Sequence, residues 1–183
     1  VDASSGEEEW SFETVGGVWS SPTVVDDTVY VGSADTNLYA VDASSGEEEW
    51  SFETEDGVFP SPTVVEDTVY VGSEDGNLYA VDVSSGEEEW SFETGDEVGS
   101  SPTVVADTVY IGSWDNNLYA VDALSGDEVW SFETGDGVFS SPTVVDDTVY
   151  VGSLDGNLYA VDASSGEERW SFETGRSVWS SPT

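Results

Sequence analysis

Residues 40–54 read AVDASSGEEEWSFET, and closely similar stretches follow at intervals of 40 residues. They read AVDVSSGEEEWSFET from Ala80, AVDALSGDEVWSFET from Ala120 and AVDASSGEERWSFET from Ala160. No residue is inserted or lost between the copies, so four complete repeats and part of a fifth fill the 183 residues. A fixed period of this length is typical of repeat proteins, in which each repeat is one unit of supersecondary structure.

Each repeat contains four short runs rich in Val, Tyr, Trp, Phe and Thr. In the first repeat they are VWSSPTVV (18–25), TVYVGS (28–33), LYAVDA (38–43) and EEEWSFET (47–54). This composition with alternating polarity predicts strands, which we letter A to D in chain order. The B–C connection reads EDGN in the second repeat and LDGN in the fourth, and Asp-Gly favours a hairpin because Gly accepts a positive φ.

Four antiparallel strands in about 40 residues predict one blade of a β-propeller. Pro22 falls in strand A, and Pro is confined to strands at a sheet edge because it lacks the ladder donor. Strand A is such an edge in a propeller, where it lines the central channel. The sequence therefore predicts an all-β fold, a single propeller domain or half-ring of four-stranded antiparallel blades. The predicted parts are a lone strand D in 1–14, blades in 15–54, 55–94, 95–134 and 135–174, and a lone strand A in 175–183.

The repeated stretch resembles the tryptophan-docking motif of the PQQ-type (quinoprotein-like) propeller repeats, whose usual form is A-x-D-x-x-T-G-x-x-x-W followed by a glycine. Ala40, Asp42, Gly46 and Trp50 match it, and Ser45 replaces the usual Thr. The later glycine is missing from the copies that contain Trp10 and Trp50, where Val15 and Glu55 take its place. A basic residue often follows the motif's first Gly, and in this chain the position is always Glu or Asp. The resemblance covers the whole chain and implies that the motif is structural, with the tryptophan packed between adjacent blades. It also implies an extracytoplasmic location.

The residues that this resemblance assigns to blade docking are the tryptophan, the aspartate and the glycine of each copy. They are Trp10, Trp50, Trp90, Trp130 and Trp170, with Asp42, Asp82, Asp122 and Asp162, and Gly46, Gly86, Gly126 and Gly166. In strand D, Trp50 and Phe52 share one face, and the glutamates at 47, 49 and 53 share the other. We expect these carboxylates to reach water and to protect the outer edge of the blade from aggregation.

The charge balance excludes several classes of partner. The chain has 40 Asp and Glu against 2 Arg and no Lys, which gives a net charge of −38. Nucleic-acid binding is excluded because phosphate contacts need Lys and Arg, and an anionic membrane surface would repel the chain. With 37% hydrophobic and 13% aromatic residues, the chain can form a core despite its charge. Such acidity resembles proteins adapted to molar salt; acidity acquired for solubility, by design or drift, is the alternative.

The missing residue types argue against catalysis, so no catalytic residue is predicted. Without His, Cys and Lys there is no imidazole base, thiol nucleophile or Schiff-base amine. At least one serine of the SSP and SSG segments recurs in every repeat, which is typical of turn and strand chemistry. A PQQ-dependent dehydrogenase of the kind that the resemblance suggests needs about eight blades, a calcium ion and basic side chains that face the quinone. A fragment of such an enzyme, or of a carbohydrate-active propeller, remains the alternative.

No cofactor and no specific metal site are predicted, although one feature leaves a cation site open. The B–C turns carry Asp35, Asp75, Asp115 and Asp155 together with Asn, and hard cations prefer oxygen ligands. Turn capping by the same carboxylates explains them without a metal. Diffuse association of sodium or potassium is the expected form of cation binding, with specific calcium binding as the less favoured alternative.

Differences between the repeats concentrate on one predicted face, which carries the D–A and B–C connections. A partner would meet this face, and the candidate contact residues are Trp19, Phe59, Trp114, Phe139 and Trp179. Relaxed drift on tolerant loops explains the same variation.

The sequence thus predicts a non-catalytic scaffold or binding module. Its copies are so alike that a recently amplified or a designed repeat protein fits equally well. Two chains would supply eight full blades, so we expect a homodimer that closes an eight-bladed ring, or else a piece of a longer array.

Overall fold

A computed structural model describes residues 4–183, and in this part of the chain all regular structure is β-structure, in four separate four-stranded antiparallel sheets. In each sheet the strands lie side by side in chain order, as in propeller blades. The strands of blade 1 are β1 (Thr23–Val25), β2 (Thr28–Gly32), β3 (Asn37–Asp42) and β4 (Glu48–Glu53); those of blade 2 are β5 (Thr63–Val65), β6 (Thr68–Gly72), β7 (Asn77–Asp82) and β8 (Glu88–Glu93). Blade 3 has β9 (Thr103–Val105), β10 (Thr108–Gly112), β11 (Asn117–Asp122) and β12 (Glu128–Glu133); blade 4 has β13 (Thr143–Val145), β14 (Thr148–Gly152), β15 (Asn157–Asp162) and β16 (Glu168–Glu173).

The prediction of an all-β propeller is confirmed, and each predicted blade range contains one of these sheets. Residues 4–183 contain no helix that is long and apolar enough to cross a membrane.

The turns follow the predicted chemistry. In the B–C turns of the second and fourth blades, Gly76 has a φ of 90° and Gly156 a φ of 92°. The equivalent residues of the other two blades are Thr36 (φ 73°) and Asn116 (φ 77°). Asn tolerates this left-handed conformation, whereas a β-branched Thr is strained there. The third and fourth strands of every blade share one irregularity, a register shift that in blade 1 falls between Ala40 and Val41.

Strand A is much shorter than the sequence suggests. The run at 18–25 was expected to be one strand, but only Thr23–Val25 pairs with β2. Pro22 has no N–H to donate, so the ladder does not extend before Thr23. Instead, the Ser20 Oγ donates a hydrogen bond to the Gly32 oxygen (2.9 Å) and accepts one from the Gly32 nitrogen (3.0 Å). A hydroxyl group therefore replaces the ladder at this point.

The core lies between neighbouring blades. Tyr30 and Leu38 of blade 1 pack against Val69, Val71 and Val81 of blade 2, and all five side chains are almost fully buried. Equivalent clusters join blade 2 to blade 3 and blade 3 to blade 4. Each blade therefore has two different faces: a Tyr/Leu face, which also carries the docking tryptophan, and a Val face that receives them.

The two end segments were predicted to be lone strands, and neither is assigned as a strand in the part that the structure describes. Residues 4–14 nevertheless pack on the Val face of blade 1, where Phe12 contacts Tyr39 with ring centroids 5.1 Å apart. Residues 175–183 pack against blade 4, where Val178 N donates to Ser153 O (3.0 Å). Residues 1–3 of the predicted first segment lie outside the described residues.

Candidate functional site: the blade joints and the aromatic face

An outer joint connects the strand D tryptophan of one blade to the C–D turn of the next. The indole nitrogen donates to the backbone oxygen of the residue that follows the motif's aspartate in the next blade. The pairs are Trp10 with Ala43 (2.9 Å), Trp50 with Val83 (2.8 Å), Trp90 with Ala123 (3.1 Å) and Trp130 with Ala163 (3.0 Å). Trp170 has no next blade within the described residues, and 45% of its surface is exposed.

The turn that receives the tryptophan is shaped by its aspartate and its glycine. Asp82 Oδ1 accepts hydrogen bonds from the nitrogen and hydroxyl of both Ser84 and Ser85, and these bonds lower the pKa of Asp82 to about 2. Gly86 has a φ of 70°, and a Cβ atom there would lie 2.7 Å from Cδ2 of Trp50. Glycine is required both for the turn conformation and for the close approach of the ring.

An inner joint, which the sequence analysis did not find, connects neighbouring A strands through their Ser-Pro-Thr segments. Thr63 Oγ1 donates to Pro102 O (2.6 Å), and Ser61 N donates to Ser101 Oγ (2.9 Å). The same two bonds join blade 1 to blade 2, blade 3 to blade 4, and blade 4 to the segment 175–183. The recurring SPT segment is the sequence signal for this joint, and the sequence analysis interpreted its serines only as turn and strand chemistry.

The B–C turn aspartates organise the turns and connect them to the aromatic side chains. Asp115 accepts hydrogen bonds from Gly95 N (2.7 Å), Asn117 N (2.9 Å) and the Tyr119 hydroxyl (2.7 Å). Burial acts to raise the pKa of Asp115, but these hydrogen bonds together outweigh it and lower the pKa. Tyr119 in turn packs edge-on against Phe92 of the preceding blade, with centroids 5.3 Å apart. The geometry is that of turn capping.

Metal-ligand geometry is absent from the described part of the chain, where no group of three or more Asp and Glu side chains is arranged to hold a metal ion.

The structure brings together three of the five candidate binding residues. Trp114, Phe139 and Trp179 form a cluster of edge-to-face contacts with centroid distances of 5.7, 6.3 and 5.5 Å. They lie on the face of the D–A and B–C connections. Trp19 is not in this cluster and is 77% exposed, and Phe59 is half-buried beside Gly57.

The aromatic cluster contains one unsatisfied polar atom. The Trp114 indole nitrogen is buried and has no hydrogen-bond partner among the described residues. Near Phe59 on the same face, burial raises the pKa of Glu74, and the charges of Glu97 and Asp56 raise it further.

A cleft of 610 Å³ between blades 2 and 3 lies on the opposite face, beside the A–B and C–D turns. Five carboxylates and the exposed Leu124 line it, and the sequence analysis did not predict it. The carboxylates are Glu66, Asp67, Glu89, Asp107 and Asp122. Their arrangement between two blades depends on the blade packing, which no motif records.

A family model described as outer membrane protein assembly factor BamB matches residues 1–91 and, in a second overlapping match, residues 54–182. The chain belongs to this BamB family of propeller-repeat proteins. The resemblance to PQQ-type repeats is thereby confirmed. A comparison with curated proteins found no match to this chain.

Solved structures with the same fold include natural and designed propellers. BamB from Moraxella catarrhalis superposes with a TM-score of 0.81 at 25% identity, over 90% of this chain and 51% of that chain. A quinohemoprotein alcohol dehydrogenase, ADHIIG from Pseudomonas putida HK5, gives 0.78 at 24% identity, over 89% of this chain and 35% of that chain. The computationally designed Ika4 protein gives 0.78 at 19% identity, over 86% of this chain and 98% of that chain. The alcohol dehydrogenase and Ika4 establish likeness of fold alone. This BamB-family chain spans about half (51%) of the length of the Moraxella BamB chain.

Proposed function

We propose that the chain is a non-catalytic propeller scaffold whose binding surface is the face that carries Trp114, Phe139 and Trp179. The observation that carries this proposal is the convergence of three aromatic rings, of which Trp114 stands at a position where the other blades have no aromatic residue. At the position of Trp114 the other blades have Ala34, Glu74 and Leu154. Trp179 is 56% exposed and presents the cluster to solvent, and an accessible tryptophan is a typical anchor of a binding site.

The use of the turn aspartates favours a scaffold over an enzyme. The aspartates of the C–D and B–C turns, such as Asp82 and Asp115, already accept several hydrogen bonds from their own turns. These bonds lower the pKa of both groups, whereas a general acid near neutral pH needs a raised pKa. The absence of His, Cys and Lys from the sequence removes imidazole, thiol and amine groups as bases and nucleophiles.

The family supports a protein partner and the charge supports a saline environment. BamB is named as an outer membrane protein assembly factor, which describes a protein that acts with other proteins. A net charge of −38 repels itself unless salt screens it, so we propose that the chain works at high salt concentration.

A quinone-dependent enzyme is the second candidate, favoured by the likeness to the quinohemoprotein alcohol dehydrogenase. Pyrroloquinoline quinone with calcium tests it directly, because bound quinone quenches tryptophan fluorescence. We expect no saturable quenching. Saturable quenching that calcium removal abolishes would favour the enzyme.

The binding face is tested with a library of synthetic peptides on beads, selected at about 3 M KCl, where charge attraction is screened. The variant Trp114→Ala introduces the residue that blade 1 has at this position, so the fold should tolerate it. We expect selected peptides to bind this variant at least about tenfold more weakly, as for an interface anchor.

The matched control is Leu124→Ser, which removes an apolar side chain that is 89% exposed on the opposite face and introduces the serine of the other blades. Its binding should equal that of the wild type. Peptides that bind Trp114→Ala and the wild type equally would overturn the assignment of this face.

A further inference from the structure

The two ends of the four-blade array present the two halves of one interface. At one end, blade 4 exposes its Tyr/Leu face: Trp170 is 45% exposed and Phe172 is 61% exposed. Tyr150 and Leu158 on this face are also partly exposed, whereas the equivalent leucines of blades 1 to 3 are completely buried. The exposed surface is therefore the surface that each internal blade buries against its neighbour.

At the other end, blade 1 presents the complementary Val face. Val29 and Val31 are only partly buried there, whereas Val69 and Val71 of blade 2 are completely buried beneath blade 1. An apolar cavity of 190 Å³ remains between Val29, Val31 and Val41 and the side chains of Trp10 and Phe12. In the internal interfaces, Tyr and Leu side chains of the preceding blade fill the corresponding space.

We propose that the Tyr/Leu face of blade 4 docks onto the Val face of blade 1 in a second copy of this chain. The three internal interfaces establish that these two surfaces are complementary, since each of them joins the same two faces. In the new contact, Trp170 would donate to the Ala43 oxygen of the second copy and pack on its Gly46. Two such contacts, related by a twofold axis, close a ring of eight blades without a free end.

The segment 4–14 is an internal competitor for this contact. Trp10 already donates to the Ala43 oxygen, and its ring lies on Gly46, where a Cβ would come within 2.7 Å of it. This is the place that Trp170 of the second copy would take. Because residues 4–14 form no strand ladder, they can leave without breaking a sheet, whereas β16 stays paired to β15 along its length.

The segment 175–183 occupies the corresponding inner position against blade 4. It is held by the Thr143–Pro182 and Ser141–Ser181 hydrogen bonds, and it also lacks a ladder. Its sequence VWSSPT (178–183) is identical to residues 18–23. When the second copy docks, its Ser21 and Pro22 can therefore form the same bonds, and its Trp19 can replace Trp179 in the aromatic cluster.

The proposal is tested with the full chain by light scattering over a range of protein concentrations at about 3 M KCl, where repulsion between two highly acidic copies is screened. We expect the mass to rise with concentration from 19.5 kDa to twice that value. The double variant Trp170→Ala/Phe172→Ala should weaken dimerisation by more than about tenfold, because it removes the docking side chains.

The double variant Trp10→Ala/Phe12→Ala should act in the opposite direction and strengthen dimerisation by about tenfold or more, because the competitor is weakened. Leu124→Ser, remote from both faces, should leave it unchanged. Far-ultraviolet circular dichroism of each variant verifies the fold.

Three results would overturn the proposal. The first is a monomeric mass at every concentration for both the wild type and Trp10→Ala/Phe12→Ala, and the second is weaker dimerisation of this variant than of the wild type. The third is association beyond a dimer into an open series of larger assemblies. None of them bears on peptide binding at Trp114, so the two proposals fail separately.

Discussion

Trp130 and Trp170 occupy equivalent positions in blades 3 and 4, but only Trp130 is followed by another blade among the described residues. Trp130 is 7% exposed, donates to the Ala163 oxygen and packs on Gly166. Trp170 has the same contact within its own blade, since the Tyr150–Trp170 centroid distance of 5.9 Å matches the 5.8 Å of Tyr110–Trp130. Replacing each tryptophan by alanine therefore measures what the next blade contributes.

The expected effects follow from burial and hydrogen bonding. Replacing a buried tryptophan by alanine costs about 3–5 kcal/mol, including the cavity that remains. Trp130 also loses a hydrogen bond with a net contribution of about 1 kcal/mol, which is included in that range. Trp170 is nearly half exposed and makes no such bond, so we expect a loss of about 1–2 kcal/mol from its buried area alone. The two variants should differ by about 2–3 kcal/mol.

The assay is urea unfolding at fixed KCl concentration, followed by far-ultraviolet circular dichroism because each variant loses a fluorophore. Dilute protein disfavours the proposed dimer, in which a second copy would bury Trp170. A third variant, Trp130→Phe, retains most of the ring and isolates the indole hydrogen bond, with an expected loss of about 1–2 kcal/mol. If Trp130→Ala and Trp170→Ala differ by less than about 0.5 kcal/mol, the tryptophan does not stabilise the chain through the next blade.

Three further predictions concern a turn, protons and salt. Thr36→Gly should stabilise the chain by about 1 kcal/mol in urea unfolding, because it relieves the positive φ of a β-branched residue, whereas Asn116→Gly should be near neutral. Asp82, with a pKa lowered from 3.8 to about 2, should stabilise the fold above pH 4 and lose this effect as the pH falls toward 2. Burial and the charge of Asp35 raise the pKa of Tyr39 from 10.0 to about 12, so Tyr39 should stabilise the fold below pH 10 and lose this effect toward pH 12. Melting temperatures measured across both pH ranges check these two predictions, and they should fall at each extreme. The melting temperature should also rise by about 10 °C or more between about 0.1 and 3 M KCl, and a salt-independent value would contradict adaptation to salt.

The fold could be predicted because each repeat carries its own local signals. The period of 40 residues, the alternation in the strands and the turn residues are all visible within one copy. The positive φ of Gly76 and the outward glutamates of strand D follow from elementary backbone chemistry. The docking motif predicted only that Trp50 packs between adjacent blades, and the turn that the ring meets is defined by the packed structure.

The features that escaped prediction depend on contacts between blades. Thr63 and Pro102 are 39 residues apart, and their hydrogen bond exists only because two A strands lie side by side. The short first strand has a similar cause, since the Ser20 side chain substitutes for the ladder only once Gly32 is in place. Convergence of Trp114 with Phe139 also required the packed blades, because the two residues belong to connections of different blades.

The acidic residues of this chain divide into two groups with different physical roles. Aspartates in the turns, such as Asp82 and Asp115, accept several short hydrogen bonds each, and replacing them would disrupt local structure. Glutamates on the outer strands, such as Glu53 and Glu93, are exposed and contribute charge more than contacts. Aromatic joints and valine faces hold the blades together, and neither of them requires a net charge of −38. The charge is therefore a property of the surface that is separable from the fold: salt concentration should govern how strongly two copies repel one another, while the repeated joints determine how neighbouring blades pack.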